Sequence, residues 1–344
     1  MPLGALVVLA AFAASACASP LWDYVHKDDG VYSYYDTGKR LKENGWSGFL
    51  LNLTSQAWLT PADFAGPYGH IWTHSVLVII PDKLNYLDAA SLWITGNGND
   101  GAPDSLPSAD DEDVLVCASL AVTVGQVCAV LYQIPNAPIV YTADPLRKGR
   151  SEDASVAFTW AQYMLHDRAR PEWVLYFPMA KAGVKTMDAV TDFVHVQTGN
   201  TLARWVTAGA SKRGATTWFT GAVDKRIVGI IPIVFDVLSF KAGVQHMYET
   251  LGNWTFAFGD YRDMSEWGER DEGGKQIRAP CSLPHTRPFI LLQTLPSTSM
   301  MARTTWMCWR CRWTPSPTRR TSPCPSWWWM PLGTSSFRSR MTVR

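Results

Sequence analysis

No stretch of the 344 residues carries twenty consecutive apolar side chains, and no acidic residue occurs after Glu272. The first absence leaves nothing long enough to cross a bilayer as a helix, which takes about 20 apolar residues. The second divides the chain. Eleven of the 31 Lys and Arg lie beyond Glu272, so residues 1–272 hold 20 basic against 30 acidic side chains, a net charge of −10 hidden under a whole-chain value of +1. A balance so close to zero gives no reason to expect nucleic acid as a partner. With 47% apolar and 18% charged residues the chain is neither disordered nor supercharged, and it is long enough for one large domain or two modest ones.

Cysteine is scarce too. Of seven, Cys17 lies in the apolar N-terminal segment and Cys281, Cys308, Cys311 and Cys324 lie in the acid-free tail, leaving Cys117 and Cys128. In a secretory compartment these two can pair or remain buried thiols, and sequence does not supply the geometry. Cys308-Trp309-Arg310-Cys311 has neither a second pair at zinc spacing nor a strand-to-helix setting. His70 and His74 flank Trp72 without a carboxylate cluster, so no metal and no cofactor are expected.

The N-terminus reads as an export signal. Leu3 to Ala16 is apolar, and Ala16-Cys17-Ala18 supplies the small-x-small cleavage pattern before Ser19. Two acceptor sequons, Asn52-Leu53-Thr54 and Asn253-Trp254-Thr255, fit a secretory route as N-glycosylation candidates at Asn52 and Asn253.

Short apolar runs ended by turn residues predict strands near 49–53, 76–80, 90–95, 127–134, 203–208 and 227–235. Helices are predicted over 114–124, from Ser151 as a cap with Ala157, Trp160, Ala161, Met164 and Leu165 inward, from about Pro178 to a Gly199 stop, and over 212–223. Gly96 to Asp100 reads as a loop, and 101–113 as exposed. This alternation argues for an α/β sheet with helices on both faces, because parallel neighbours need helical crossovers.

The segment that carries chemistry is Trp205-Val206-Thr207-Ala208-Gly209-Ala210-Ser211-Lys212-Arg213-Gly214. A strand turning sharply into a helix at a serine among small residues is a nucleophile elbow, with Ser211 the nucleophile; the alternative is a serine that only caps the helix. The usual pattern places glycine two residues after the serine, where Arg213 stands here. One oxyanion donor would be the N–H of Lys212 and the other an N–H of the loop at Asn97 and Gly98. The side chains of Lys212 and Arg213 either bind an anion beside Ser211 or face solvent.

The blocks Leu51 to Thr60, Ile80-Pro81-Asp82-Lys83, Ala180 to Asp188, Gly209 to Gly214 and Ala222 to Arg226 resemble, in order, the PhoPQ-activated pathogenicity-related proteins. The resemblance spans about Trp22 to Asp263. That family of exported α/β-hydrolase-like proteins includes a slime-mould autocrine proliferation repressor. It implies an α/β-hydrolase-like, mostly parallel sheet with helices on both faces, carried by residues 19–272 after a signal at 1–18. From its acid-free composition the tail over 273–344 is expected to be aberrant and to truncate that domain. The resemblance also implies a triad in the order serine, acid, histidine.

The acid and histidine are not where that order needs them. After Ser211 only His246 and His285 remain; Asp236, at the end of the next strand, is a reserve acid. The tail has a mechanical explanation. Trp327-Trp328-Trp329-Met330-Pro331 fixes the codons TGG TGG TGG ATG CCN, which read from the third base as Val-Val-Asp-Ala. Leu332 to Phe337 is compatible, in the same frame, with the Gly-Asp-Glu-Phe-Phe of the family's acid loop. A reading-frame error between about Glu272 and Trp327 is therefore expected, with residues 280–344 packing poorly. Two functions fit: an acyl (ester or amide) hydrolase by ancestry, poorly active as written on an unknown acyl substrate, or a secreted signal for a cell-surface receptor that uses the fold without turnover.

Overall fold

The computed structural model describes residues 19–99, 104–235 and 239–267. The expected signal, Asp236, His285 and the whole tail from 273 onward lie outside them. In chain order the elements are α1 (Pro20–His26), β1 (Ser33–Glu43), β2 (Trp46–Ala57), β3 (Ile71–Pro81), β4 (Ala89–Ile94), α2 (Glu112–Val124), β5 (Val127–Leu131), α3 (Glu152–Ala161), α4 (Tyr176–Thr198), β6 (Arg204–Ala210), α5 (Lys212–Val223), β7 (Ile227–Ile233), α6 (Phe240–Leu251) and α7 (Gly259–Trp267).

Among the described residues the seven strands form one sheet in the order β1-β2-β3-β5-β4-β6-β7. The pairs β1/β2, β2/β3 and β3/β5 are antiparallel, and β4 pairs parallel with β5 and β6, as β6 does with β7. Five strands thus share one direction, with β1 and β3 opposed. Helices bridge every parallel step, since a chain leaving one end of a strand must return along its full length before pairing in parallel.

Helices pack on both faces of the central strands, while β7 leaves Val228 and Ile231 exposed, and β3 shows how the sequence buries a strand on both sides. Val76 and Val78 point into the larger core with α3, α4 and Trp205, while Leu77 and Ile79 alternate to the other face against Val114, Cys117, Ala118 and Ala121 of α2. An unbroken apolar run is what a strand buried on both sides requires. β1 escaped sequence reading because it reads Ser-Tyr-Tyr-Asp-Thr-Gly-Lys-Arg-Leu-Lys-Glu, a mostly exposed edge strand with no apolar run. Its charges also discourage edge-to-edge pairing.

The predicted strands and helices are present with small shifts at their ends; the strand expected over 127–134 stops at Leu131. Cys117 of α2 and Cys128 of β5 form a disulfide, S–S 2.05 Å. The role expected of Ser151 is corrected. Its side chain caps nothing, and the helix opens at Glu152 with φ +52°.

The motif blocks of the sequence become a buried polar seam. Gln56 Nε2 donates to Pro178 O at 2.7 Å, Tyr24 Oη donates to Gln56 Oε1 at 2.8 Å, and Lys181 Nζ reaches Lys27 O at 2.7 Å and Asp29 Oδ2 at 2.8 Å. Together these tie the N-terminal segment to α4 and the sheet.

Candidate active site

Ser211 follows the last residue of β6 and precedes the first residue of α5, with φ 55° and ψ −121°. Its N–H donates to Ile233 O of β7 at 2.9 Å, the last rung of the ladder, and its C=O accepts from Ala215 N–H at 3.1 Å, the first turn of the helix. One residue therefore serves both elements, in a conformation that L side chains rarely occupy. The crowding explains the neighbours. A Cβ on Gly209 would lie 2.8 Å from Arg213 Cβ and from Arg213 O, and one on Gly214 would lie 2.9 Å from Phe235 Cβ and 3.0 Å from Ile233 O. Space is demanded two residues before and three residues after the serine, so Arg213 can stand where glycine is usual. Ser211 is exposed at the sheet's edge, at the start of a helix whose first N–H groups have no intrahelical acceptor.

Register brings the Gly96 to Asn99 loop to the same edge, because β4 pairs with β6 up to Ile94 opposite Gly209. Asn97 lies at φ 91°. Of the two loop donors expected from sequence, the Gly98 N–H is taken by Asn97 Oδ1 at 2.8 Å. Asn99 N–H donates to Ala137 O at 2.8 Å. Asn97 N–H makes no hydrogen bond among the described residues.

Lys212 and Arg213 do neither thing weighed for them from sequence. Lys212 is 8% exposed, and its Nζ lies 3.0 Å from both Glu152 Oε2 and Asp153 Oδ2. Arg213 forms a bidentate pair with Glu152, 2.5 and 2.8 Å, and donates through Nε to Ile134 O. Burial would raise the Glu152 carboxyl, but Arg213 and Lys212 hold it below its ordinary range. Asp153 also accepts from Tyr261 Oη of α7 at 3.0 Å, and burial together with nearby Tyr176 and Asp153 pushes that phenol well above its usual range. The positive side chains beside the nucleophile are thus internal struts. The usable signal in the sequence is the adjacent Glu152-Asp153 pair, two acids in the first turn of a helix.

Other candidates fall elsewhere. His246 is exposed on α6, and none of the described histidines is bonded to Ser211. His74 is fully buried, Nε2 3.0 Å from Ser55 Oγ and Nδ1 3.1 Å from Tyr132 O. His70 Nδ1 is 3.0 Å from Trp58 O. The asparagines of the two sequons are placed differently. Asn52 is 6% exposed, is paired in mid-sheet with Tyr35 and Ser75, and spends its Nδ2 on Asp104 Oδ1 at 2.7 Å. Asn253 is exposed between α6 and α7.

Autocrine proliferation repressor protein A of Dictyostelium discoideum is 35% identical over 258 residues, covering 74% of this chain and 49% of the relative, so the chain spans about half that relative's length. Among solved structures, acetyl xylan esterase 1 from Thermoanaerobacterium is 12% identical with a TM-score of 0.43, over 82% of this chain and 72% of that one. A putative acetyl xylan esterase from Bacteroides fragilis is 15% identical with a TM-score of 0.40, over 80% and 63%. Likeness at that level fixes no activity. Residues 21–269 match the PhoPQ-activated pathogenicity-related proteins, and the chain belongs to that family.

Proposed function

We propose that this is an exported protein built around a serine acyl-hydrolase site in which Ser211 is the nucleophile. The observation that carries the reading is the backbone of Ser211, φ 55° and ψ −121° at a strand-to-helix junction, because a strained turn that presents a serine hydroxyl at the sheet edge is the geometry a nucleophile elbow uses. Ser211 Oγ would attack the carbonyl carbon of an ester or amide, its proton passing to a base as the C–O bond forms. The N–H groups of Lys212 and Asn97 would hold the oxyanion. Departure of the alcohol or amine leaves an acyl-enzyme for water to cleave.

The described residues bring no histidine to Ser211 to act as that base. We assign the missing acid and histidine to sequence displaced by the frame change after about Glu272, so the chain as written is a poor catalyst. The transcript across codons 260–344 and covalent labelling by a fluorophosphonate mapped to Ser211 test the reading. A second function, secreted signalling through a cell-surface receptor, is favoured by the 35% identity to a proliferation repressor; loss of receptor-cell binding on surface substitution, with Ser211→Ala silent, would select it.

A further inference from the structure

The two sequons differ in the one atom that matters for N-glycosylation. The Nδ2 of Asn52 is inside the sheet and bonded to Asp104, whereas Asn253 is exposed, follows Gly252 at φ 69°, and uses only its Oδ1, which accepts from Trp254 N–H at 2.8 Å. Asn253 Nδ2 donates to nothing among the described residues. Its surroundings are unusually apolar for a loop tip. Leu251 is 59% exposed and Phe256 fully exposed, on either side of Asn253, while Trp254 between them turns onto Tyr248 and Phe258 at ring-centroid distances of 5.5 and 6.3 Å. A large aromatic and a large aliphatic side chain bare within six residues leave apolar surface beside the acceptor asparagine.

We infer that Asn253 is the single glycan acceptor of the folded domain, and that the first sugars of the glycan cover Leu251 and Phe256. The acetamido and ring C–H faces of N-acetylglucosamine are apolar enough to lie on such side chains while the hydroxyls face water, and the attachment point places them between the two. Asn52 cannot carry a glycan in the folded state: its side chain is 6% exposed and a sugar on Nδ2 would have to displace the loop residue Asp104 that accepts from it, so chains modified there do not complete folding. The inference does not need Ser211 to be catalytic. It rests only on the chain entering a secretory compartment.

The test is the full chain expressed in a eukaryotic secretory host, once with its own residues 1–18 and once with a host signal in their place. The trypsin-resistant fraction is deglycosylated in heavy-oxygen water so that each former acceptor is marked as Asp. The expected result is a mark at 253 and none at 52, with one endoglycosidase-sensitive mobility shift that Thr255→Ala abolishes and Thr54→Val leaves unchanged. A mark at 52, or an unmarked 253 in the folded fraction of the host-signal form, overturns the assignment. Marking in the host-signal form alone sinks the export reading and leaves the assignment standing. For the cover, Thr255→Ala should raise binding of an apolar dye severalfold, and Leu251→Ser with Phe256→Ser should return it to the parent level. No rise would show that the glycan does not lie on these side chains.

Discussion

Arg213 and Glu152 meet in a two-pronged ion pair, 2.5 and 2.8 Å, that joins the nucleophile helix to the first residue of α3, and the guanidinium passes directly over Gly96. A Cβ at Gly96 would lie 2.4 Å from Arg213 Nη2. Through Nε the same side chain holds Ile134 O beyond β5, so one arginine ties together the loops that follow β4 and β5, the start of α3 and the elbow after β6. That arrangement makes the charge pair and the glycine one unit.

The expected consequence is non-additivity. Glu152→Gln removes the charge-assisted bonds of a half-exposed pair and should cost about 1 kcal/mol in urea unfolding. Gly96→Ala displaces the same guanidinium and should cost about 1–3 kcal/mol through overpacking. The double variant should fall short of the sum by at least about 0.5 kcal/mol, since the second change removes a contact already lost. Strict additivity would mean that Arg213 relaxes away without using Glu152.

His74 gives a pH dependence with a definite sign. Burial lowers its pKa from 6.5 to about 4, against the opposing pull of the Tyr132 carbonyl. The folded state therefore keeps it neutral while the unfolded chain protonates, so stability is full above about pH 6.5 and falls as pH drops toward 4. The contribution lost is about 3 kcal/mol at most. Comparing unfolding midpoints of the parent and His74→Gln from pH 7.5 to 4 checks it. The variant should show the shallower decline, and parallel curves would refute a titrating role.

The disulfide predicts a chemical footprint. Cys117 and Cys128 are at most 1% exposed, so a native peptide map should find neither alkylated, with or without mild reductant. Joint replacement by alanine should cost about 3 kcal/mol, from the entropy of a short closed loop. Alkylation of both residues in the folded chain would show them to be free thiols.

How much of this was legible beforehand depends on range. The alternation of apolar runs around Val76 to Ile80 and Val127 to Leu131 announced a covered sheet, because burial on both faces leaves a local signature. Ser211 was legible for the same reason: strand, small residues, serine and helix are adjacent in the chain. The pairing of Arg213 with Glu152 crosses 61 positions, and that of Asn52 with Asp104 crosses 52, so no local pattern foretells either. A sequon likewise says nothing of whether its asparagine lies in the middle of a sheet. β1 was missed because a charged edge strand lacks the apolar run that strand recognition uses.

The last prediction concerns Ser211 itself. A serine without its base stays protonated near neutral pH, and removing triad members elsewhere leaves only the residual effect of the oxyanion donors and binding, orders of magnitude below an intact site. Fluorophosphonate should therefore label the 344-residue chain slowly, a form restored to frame after about Glu272 rapidly, and Ser211→Ala of either form not at all. Lys212 N–H and Asn97 N–H are backbone donors, so Asn97→Ala should slow labelling of the restored form only modestly, whereas Asn97→Pro, which deletes the N–H and forbids φ 91°, should slow it about 100-fold. Rapid labelling of the chain as written would mean that a base outside the described residues reaches Ser211. Failure of the restored form to label at all would move the balance to the signalling function, with the strained serine kept as part of the fold.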